Sequence, residues 1–161
     1  MVKITHALLP SRSRTKKYDS DSPSHCIYCN DPEENRDHLI RCQHETCTTW
    51  RGTLLSTIRK RGDTLHTDPV LLNILMAHLH AWFNHQPSPL PAAYPAAYRR
   101  LVREQSNLGW RQLLNGCWSK EWARLQDRYL RRHFAPIPDQ LRGSLWTSTH
   151  IELLWTHFRQ L

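Results

Sequence analysis

Four residues near the start of the chain have the types and the spacing of a metal site. They follow the pattern Cys26-x2-Cys29-x8-His38-x3-Cys42. A Cys-x-x-Cys turn presents two thiolates to one ion, and residues four apart on a short helix share a face. Three thiolates and one imidazole complete the tetrahedral set of a structural zinc site and leave no position open for a substrate. The pattern therefore predicts one structural Zn²⁺ bound by Cys26, Cys29, His38 and Cys42.

Three neighbouring residues are alternative ligands. His25, His44 and Cys47 lie beside the set, but neither His44 nor Cys47 is four residues from His38, as Cys42 is. The choice among them stays open at this point. The fifth cysteine, Cys117, is remote in sequence and is expected to be buried or free.

Other residues of the segment are expected to support the site. Asp37 is a candidate acceptor for the imidazole of His38. A small core is expected from Ile27, Tyr28, Leu39, Ile40 and Trp50. Tyr28 has a second interpretation, because aromatic side chains also stack on bases in proteins that bind single strands.

The cysteine segment contains a series of motifs found in a known family. The motifs are Cys26-Ile-Tyr-Cys29, Glu33-Glu34, Asp37-His38-Leu39-Ile40-Arg41-Cys42 and Thr49-Trp50-Arg51. This order resembles the zinc-binding segment downstream of the polymerase in non-LTR retrotransposon reverse transcriptases, over residues 20–60. Two later motifs, Asn107-Leu-Gly109-Trp110 and Trp118-Ser119-Lys120-Glu121-Trp122, resemble the helical tails that follow such segments. The resemblance implies a retroelement-derived fragment without its polymerase, whose zinc segment assists binding of template nucleic acid.

The composition favours anionic partners. There are 22 Lys and Arg residues against 14 Asp and Glu, so the formal net charge is +8, and nucleic acid is the first candidate partner of a basic protein. Two basic runs are candidate phosphate contacts, namely Arg12, Arg14, Lys16 and Lys17, and then Arg59, Lys60 and Arg61. Phosphate contacts give affinity with little sequence choice, so RNA or DNA is expected to bind with low specificity. The other interpretation of both runs is solvated surface.

Cysteine usage and hydropathy indicate a compartment. Four of the five cysteines fall within 22 residues, which argues against a disulfide framework and for a reducing environment. No apolar run reaches the length of a membrane span, and the patch Ala7-Leu8-Leu9 is too short for a secretory signal. We therefore expect an intracellular protein, nuclear or cytoplasmic, without membrane contact.

The fold class predicted from these patterns is mainly α, with a small N-terminal zinc knuckle followed by a helical bundle. The expected divisions are a basic flexible arm at 1–24, a zinc-binding module at 25–62, a buried helix at 63–86, a Pro-rich linker at 87–95 and a C-terminal helical region at 96–161.

Helix ends are predicted from local signals. One helix is expected at about 46–60 with Arg51, Arg59 and Lys60 outside and Gly62 as its C-cap, and another at about 69–84 after Asp68-Pro69. Further helices are expected at 96–107, from Ser119 to near His133, and from the capping box Thr149-x-x-Glu152. His78, His80 and His85 are expected to be ordinary surface or hydrogen-bonded histidines.

Catalysis is not expected. Cys117, Ser119 and Ser144 lack the sequence context of a nucleophile. One alternative function is a zinc-stapled protein-interaction or scaffold domain that self-associates through its aromatic helices. The tryptophans of those helices are Trp110, Trp118, Trp122, Trp146 and Trp155. Another alternative is a degenerate retroelement fragment.

Overall fold

The computed structural model describes residues 11–134, Pro136 and residues 142–158. Within these residues it is mainly helical, without strands, and has a cysteine and histidine cluster near the N-terminus. The helices are α1 Arg12–Thr15, α2 Arg36–Arg41, α3 Glu45–Thr64, α4 Pro69–Phe83, α5 Ala96–Leu108, α6 Trp110–Leu113, α7 Lys120–His133 and α8 Gly143–Phe158, with a 3-10 turn at Pro91–Ala93. The predicted fold class is confirmed.

The chain divides into two compact units, Met1–Thr53 and Leu54–Leu161. The first unit contains α1, α2 and the start of α3, and the second contains the remaining helices. Among the described residues, no helix has the length and apolar character needed to cross a membrane. The first ten residues of the predicted arm lie outside the described part, and so do residues 135, 137–141 and 159–161 of the predicted C-terminal region.

The arm contains more structure than its sequence indicates. Residues Arg12–Thr15 form one helical turn, although no helical periodicity is present there. Glu34 explains the turn, because its backbone carbonyl accepts from the amide of Ser13 at 3.1 Å and its carboxylate accepts from the amide of Arg12 at 3.2 Å. A partner 21 to 22 residues away in sequence thus orders the turn, and no local pattern reveals such a partner.

Helix α3 ends two residues beyond the predicted C-cap. Gly62 lies inside the helix, and the residue with the left-handed backbone is His66, at φ 47°. The amide of Thr67 donates to the carbonyl of Gly62 at 2.9 Å and that of His66 to Asp63 at 3.2 Å, which is the bonding pattern of a Schellman motif. Gly62 serves packing instead, because a Cβ there would lie 3.0 Å from the side chain of Leu72.

Helices α4 and α7 begin where local caps predict them. Asp68 accepts from the amide of Val70 at 2.9 Å, with Pro69 in the first turn. Ser119 accepts from the amide of Glu121 at 3.2 Å. Each cap satisfies an amide that has no partner inside its own helix.

Two buried glutamines connect the elements of the second unit. Gln126 accepts from the amide of Asp68 at 3.0 Å and donates to the carbonyl of His66 at 3.1 Å. Gln105 accepts from the amide of Ser119 and from the indole of Trp122, both at 3.0 Å. Both side chains are fully buried, so these bonds satisfy polar groups that would otherwise be unpaired in the core.

Helix α8 begins at Gly143, six residues before the predicted capping box. Thr149 therefore lies inside the helix. The carboxylate of Asp127, on α7, accepts from the amide of Gly143 at 2.7 Å and caps α8 from a neighbouring helix. A Cβ on Gly143 would collide with the backbone of Ala123, whose Cα would lie 2.9 Å away. Glycine at this position lets α7 and α8 approach closely.

Three histidines lie in α4 or just after its C-terminal end, and one of them does not have its predicted role. His78 is fully buried, and neither ring nitrogen has a hydrogen-bond partner within the described part of the chain. Its ring instead stacks on Trp110, with centroids 3.7 Å apart and planes 9° from parallel. His80 and His85 are exposed, as expected, and His80 contacts the side-chain amide of Asn84 at 3.3 Å.

Candidate metal centre

The structure brings the four predicted ligands together. The donor atoms of Cys26, Cys29, His38 and Cys42 all lie within 4.8 Å of one another. The sulfurs of Cys26 and Cys42 are 4.0 Å apart, and the sulfur of Cys29 lies 3.3 Å from Nε2 of His38. Around a tetrahedral zinc ion, two sulfurs lie about 3.8 Å apart and a sulfur and a nitrogen about 3.5 Å apart. The cluster therefore has the dimensions of a metal site.

A tight turn positions the two cysteines of the Cys-x-x-Cys motif. The amide of Cys26 donates to the carbonyl of Asp31 at 2.9 Å, and the amide of Asn30 donates to the carbonyl of Cys26 at 3.0 Å. Asn30 has a left-handed backbone, at φ 58°, and asparagine tolerates this conformation better than most residues. The sequence Asn-Asp-Pro after Cys29 suits this turn.

Helix α2 positions the other two ligands. Asn35 caps the helix by accepting from the amide of His38 at 2.9 Å. His38 lies in the helix and Cys42 is its C-cap residue, with its amide bonded to the carbonyl of His38 at 2.6 Å. Residues four apart are neighbours on one face of a helix, so the imidazole of His38 and the thiol of Cys42 can reach the same ion.

Asp31, not Asp37, faces the imidazole of His38. Its carboxylate lies 3.4 Å from Nδ1, while Nε2 points toward the sulfur of Cys29. An acceptor at Nδ1 favours the proton there and leaves the lone pair of Nε2 for a metal, which is the usual arrangement around metal-bound histidines. The expectation that Asp37 orients the ring is therefore wrong. The turn after Cys29 places Asp31 beside His38, although Asp37 is closer to His38 in sequence.

The cluster has a buried side and an open side. Cys26 and Cys42 are buried, His38 is half-buried and Cys29 is exposed. Two sulfurs thus belong to the interior of the first unit, and the sulfur of Cys29 belongs to an exposed residue.

Arg51 is buried beside the cluster, although the helical pattern places it outside. Its guanidinium donates to the carbonyls of Ile40 at 2.9 Å and Cys42 at 2.7 Å, and to the hydroxyl of Thr48 at 3.1 Å. Burial lowers the pKa of Arg51, and the sulfurs of Cys47 and Cys42 oppose that effect. Arginine stays protonated in proteins, so a positive charge stands beside the sulfurs of Cys42 and Cys47. No motif in the sequence marks this role.

Cys47 is a neighbour of the cluster and lies outside the four-donor set. Its side chain is buried in contact with Cys26 and Cys42. Burial, followed by the charge of Cys42, raises the pKa of Cys47 to about 11. The thiol is therefore neutral near pH 7 and forms a hydrogen bond with the sulfur of Cys42. This arrangement makes Cys47 a support for a ligand.

The two histidines considered as alternative ligands also lie outside the set of mutually close donors found in the described chain. His25 is exposed, and His44 stacks on Tyr28 with centroids 4.2 Å apart. Nδ1 of His44 accepts from the amide of Thr46 at 3.3 Å. The remote Cys117 is exposed and is not in a disulfide.

The small core beside the cluster differs from the predicted one. Ile40 and Trp50 are buried as expected, and Leu39 is half-buried. Ile27 and Tyr28 are 53% and 51% exposed, because the tight turn directs the two residues between its cysteines outward. The core interpretation of both residues is therefore wrong, and one face of Tyr28 is covered by His44.

The two basic runs fall in different units. Arg12 and Arg14 are half-buried in α1, followed by exposed Lys16 and Lys17 in the first unit. The second run lies on α3 within the second unit, and its three side chains are exposed: Arg59, Lys60 and Arg61. Five of the seven predicted phosphate contacts are therefore accessible to a large ligand.

No family model, curated protein or solved structure matches the chain. Three sulfurs and one imidazole nitrogen can hold a metal ion, and four protein ligands fill a tetrahedral coordination sphere.

Proposed function

We propose that the chain is a zinc-stabilised, non-catalytic module that binds nucleic acid. The observation that carries the proposal is the convergence of Cys26, Cys29, His38 and Cys42, whose donor atoms lie within 4.8 Å of one another. The remaining support comes from the charge of the chain and from the motifs around the cluster.

Zinc is the metal that these donors suit best. Thiolates are soft ligands that select zinc, copper(I) or iron–sulfur clusters, and a mixed set of three sulfurs and one imidazole is typical of structural zinc. The ion would stabilise a segment whose own core is small, since structural zinc contributes on the order of 10 kcal/mol to folding. With all four positions taken by protein, the ion has no place for a reacting water.

Nucleic acid is the partner that the charge favours. The net charge is +8, and Lys16, Lys17, Arg59, Lys60 and Arg61 are exposed. Such contacts to phosphate are independent of base sequence, so the module would bind RNA or DNA with low specificity. The resemblance of residues 20–60 to the zinc segment of non-LTR reverse transcriptases supports the same role and an origin as a retroelement-derived fragment.

The alternative of a self-associating scaffold receives less support. Of the five tryptophans that motivate it, Trp110, Trp122 and Trp146 are buried, and Trp118 and Trp155 are half-buried. Ring contacts among Trp110, Trp118, Trp122 and Trp146 lie within the second unit itself. These side chains form the core of that unit and offer little surface to a second copy.

The test of nucleic-acid binding is a titration of zinc-loaded protein into labelled single-stranded RNA and DNA at several salt concentrations. Binding is expected to weaken as salt rises, with a slope of about 0.7 per phosphate contact on a log–log plot. Replacing Arg59, Lys60 and Arg61 by Gln should lower the affinity and reduce the slope by about two.

The matched control for this titration is Lys120→Gln, which removes an exposed cation outside both basic runs. It should change the affinity much less than the triple variant does. Affinity that is independent of salt, or equal effects of the control and the triple variant per charge removed, would contradict the proposal.

A further inference from the structure

A cavity of about 150 Å³ with a mixed polar and apolar lining lies in the second unit, between α5 and α7. Its polar lining consists of Asp68, Tyr98, Arg128, Tyr129, Arg132 and His133. A cavity of this volume holds one benzene-sized group and is smaller than the roughly 300–1,000 Å³ of sites for drug-sized ligands. The cavity therefore has room for one compact chemical group.

Two arginines give the cavity its charge. Arg128 and Arg132 lie four residues apart on α7 and thus on one face of the helix. Both act electrostatically on the hydroxyl of Tyr98 across the cavity. Among the described residues, no acidic side chain lies within 4.0 Å of either guanidinium, whereas Arg124 on the same helix pairs with Glu121. Two like charges at this spacing repel each other, and an anion between them would relieve the repulsion.

The single carboxylate in the lining is already satisfied. Asp68 is buried, and one of its oxygens accepts from the amide of Val70 at 2.9 Å. Its other oxygen accepts from the hydroxyl of Tyr98 at 2.5 Å. Two arginine charges and one aspartate charge leave a net charge of +1 in the cavity.

We propose that this cavity binds a single phosphate group held by Arg128 and Arg132. The planar fork of a guanidinium donates two parallel hydrogen bonds to phosphate oxygens, so two arginines engage the group from one helix face. A free phosphate compound and a nucleic-acid strand both carry this group. The proposal does not depend on the basic runs and stands separately from the proposed nucleic-acid binding.

The direct test is calorimetric titration of the full chain with inorganic phosphate, against a chloride baseline of equal ionic strength. Arg128→Gln and Arg132→Gln should each weaken phosphate binding about tenfold, because each removes a bidentate, charge-assisted contact. The matched control is Arg131→Gln, which removes an equal exposed charge from the same helix outside the cavity lining. The control should leave the affinity close to that of the wild type.

If a glutamine variant fails to fold, Arg128→Lys and Arg132→Lys carry the same comparison, because they keep the charge and lose the planar fork. The helix content of each variant is checked by circular dichroism. Phosphate binding that is absent in the wild type, or that falls equally with Arg131→Gln, would overturn the proposal.

Two further titrants distinguish the source of the phosphate. Adenosine monophosphate represents a small phosphate compound, and single-stranded oligothymidylate represents a nucleic-acid backbone. If the Arg128 and Arg132 variants weaken binding of all three titrants, the cavity takes a phosphate of the strand. If they weaken the binding of only phosphate and the mononucleotide, the cavity takes a small phosphate compound. In that case the nucleic-acid proposal stands or falls on the salt titration of the basic runs.

Discussion

Arg51 sets the charge balance of the candidate metal centre. A divalent ion bound by three thiolates and a neutral imidazole carries a net charge of −1. Arg51 is 4% exposed, and its guanidinium is held by the carbonyls of Ile40 and Cys42 and the hydroxyl of Thr48. A buried charge is costly unless it is paired. The metal centre with its net charge of −1 and the positive guanidinium therefore each offset the cost of burying the other.

Arg51→Gln is therefore expected to weaken metal binding. Supporting residues around a metal site change affinity by about 10- to 100-fold when they are replaced, and we expect an effect of that order here. The measurement is competition for Zn²⁺ with a chromophoric chelator, supported by the absorption spectrum of the Co²⁺ form.

Arg59→Gln, which removes an exposed charge from the same helix, is the control and should bind zinc as the wild type does. Arg51→Lys keeps the positive charge and should lose less affinity than Arg51→Gln. Wild-type affinity in Arg51→Gln would show that the guanidinium has a purely structural role.

The individual ligands could be predicted from sequence because their geometry is local. A Cys-x-x-Cys turn and a pair spaced by four on a helix place their donors without reference to the rest of the fold. The supporting residues could not be predicted in this way. Arg51 turns toward the end of α2, and Asp31 reaches His38 through the fold of the turn. Both contacts depend on how two segments pack.

At the scale of elements, helix starts were predictable where the cap is adjacent in sequence. Asp68 and Ser119 cap the helices that directly follow them. The start of α8 is set by Asp127, 16 residues earlier and on another helix, so the local capping box at Thr149 was misleading. The turn of α1 depends in the same way on Glu34. When the capping residue belongs to a distant element, the sequence around the start of the helix contains no pattern that predicts that start.

At the scale of the whole molecule, two buried histidines connect stability to pH. His78 stacks on Trp110, and His150 lies beside Trp146, whose carbonyl is 2.9 Å from Nδ1 of the ring. Burial lowers the pKa of each imidazole to about 4, from an ordinary value of 6.5. For His150, the carbonyl of Trp146 opposes this shift, and the charge of Arg61 adds to it. Both rings are therefore neutral in the folded protein near pH 7.

The folded state should consequently lose stability as pH falls from about 6.5 to 4. In this range the unfolded chain takes up protons at these histidines and the folded chain does not. Each histidine lowers the free energy of unfolding by about 3 kcal/mol at pH 4. Denaturant unfolding of His78→Phe, which keeps a flat ring without a titrating group, should show a weaker pH dependence than the wild type.

His80→Phe is the control for this comparison, because His80 is exposed on the same helix. Its pH dependence should match that of the wild type. The comparison between variants also separates the histidine effect from protonation of the metal ligands, which acts on every variant alike. Identical pH profiles for His78→Phe and the wild type would refute the assignment.

The most direct test of the account is the zinc content of the purified chain, measured by elemental analysis without chelator. We expect one zinc ion per chain in the wild type, loss of that ion in Cys29→Ser and His38→Ala, and full retention in Cys117→Ser, whose cysteine is remote from the cluster. A wild-type protein without zinc, or a His38→Ala variant with its full complement, would contradict the proposed Cys3His site.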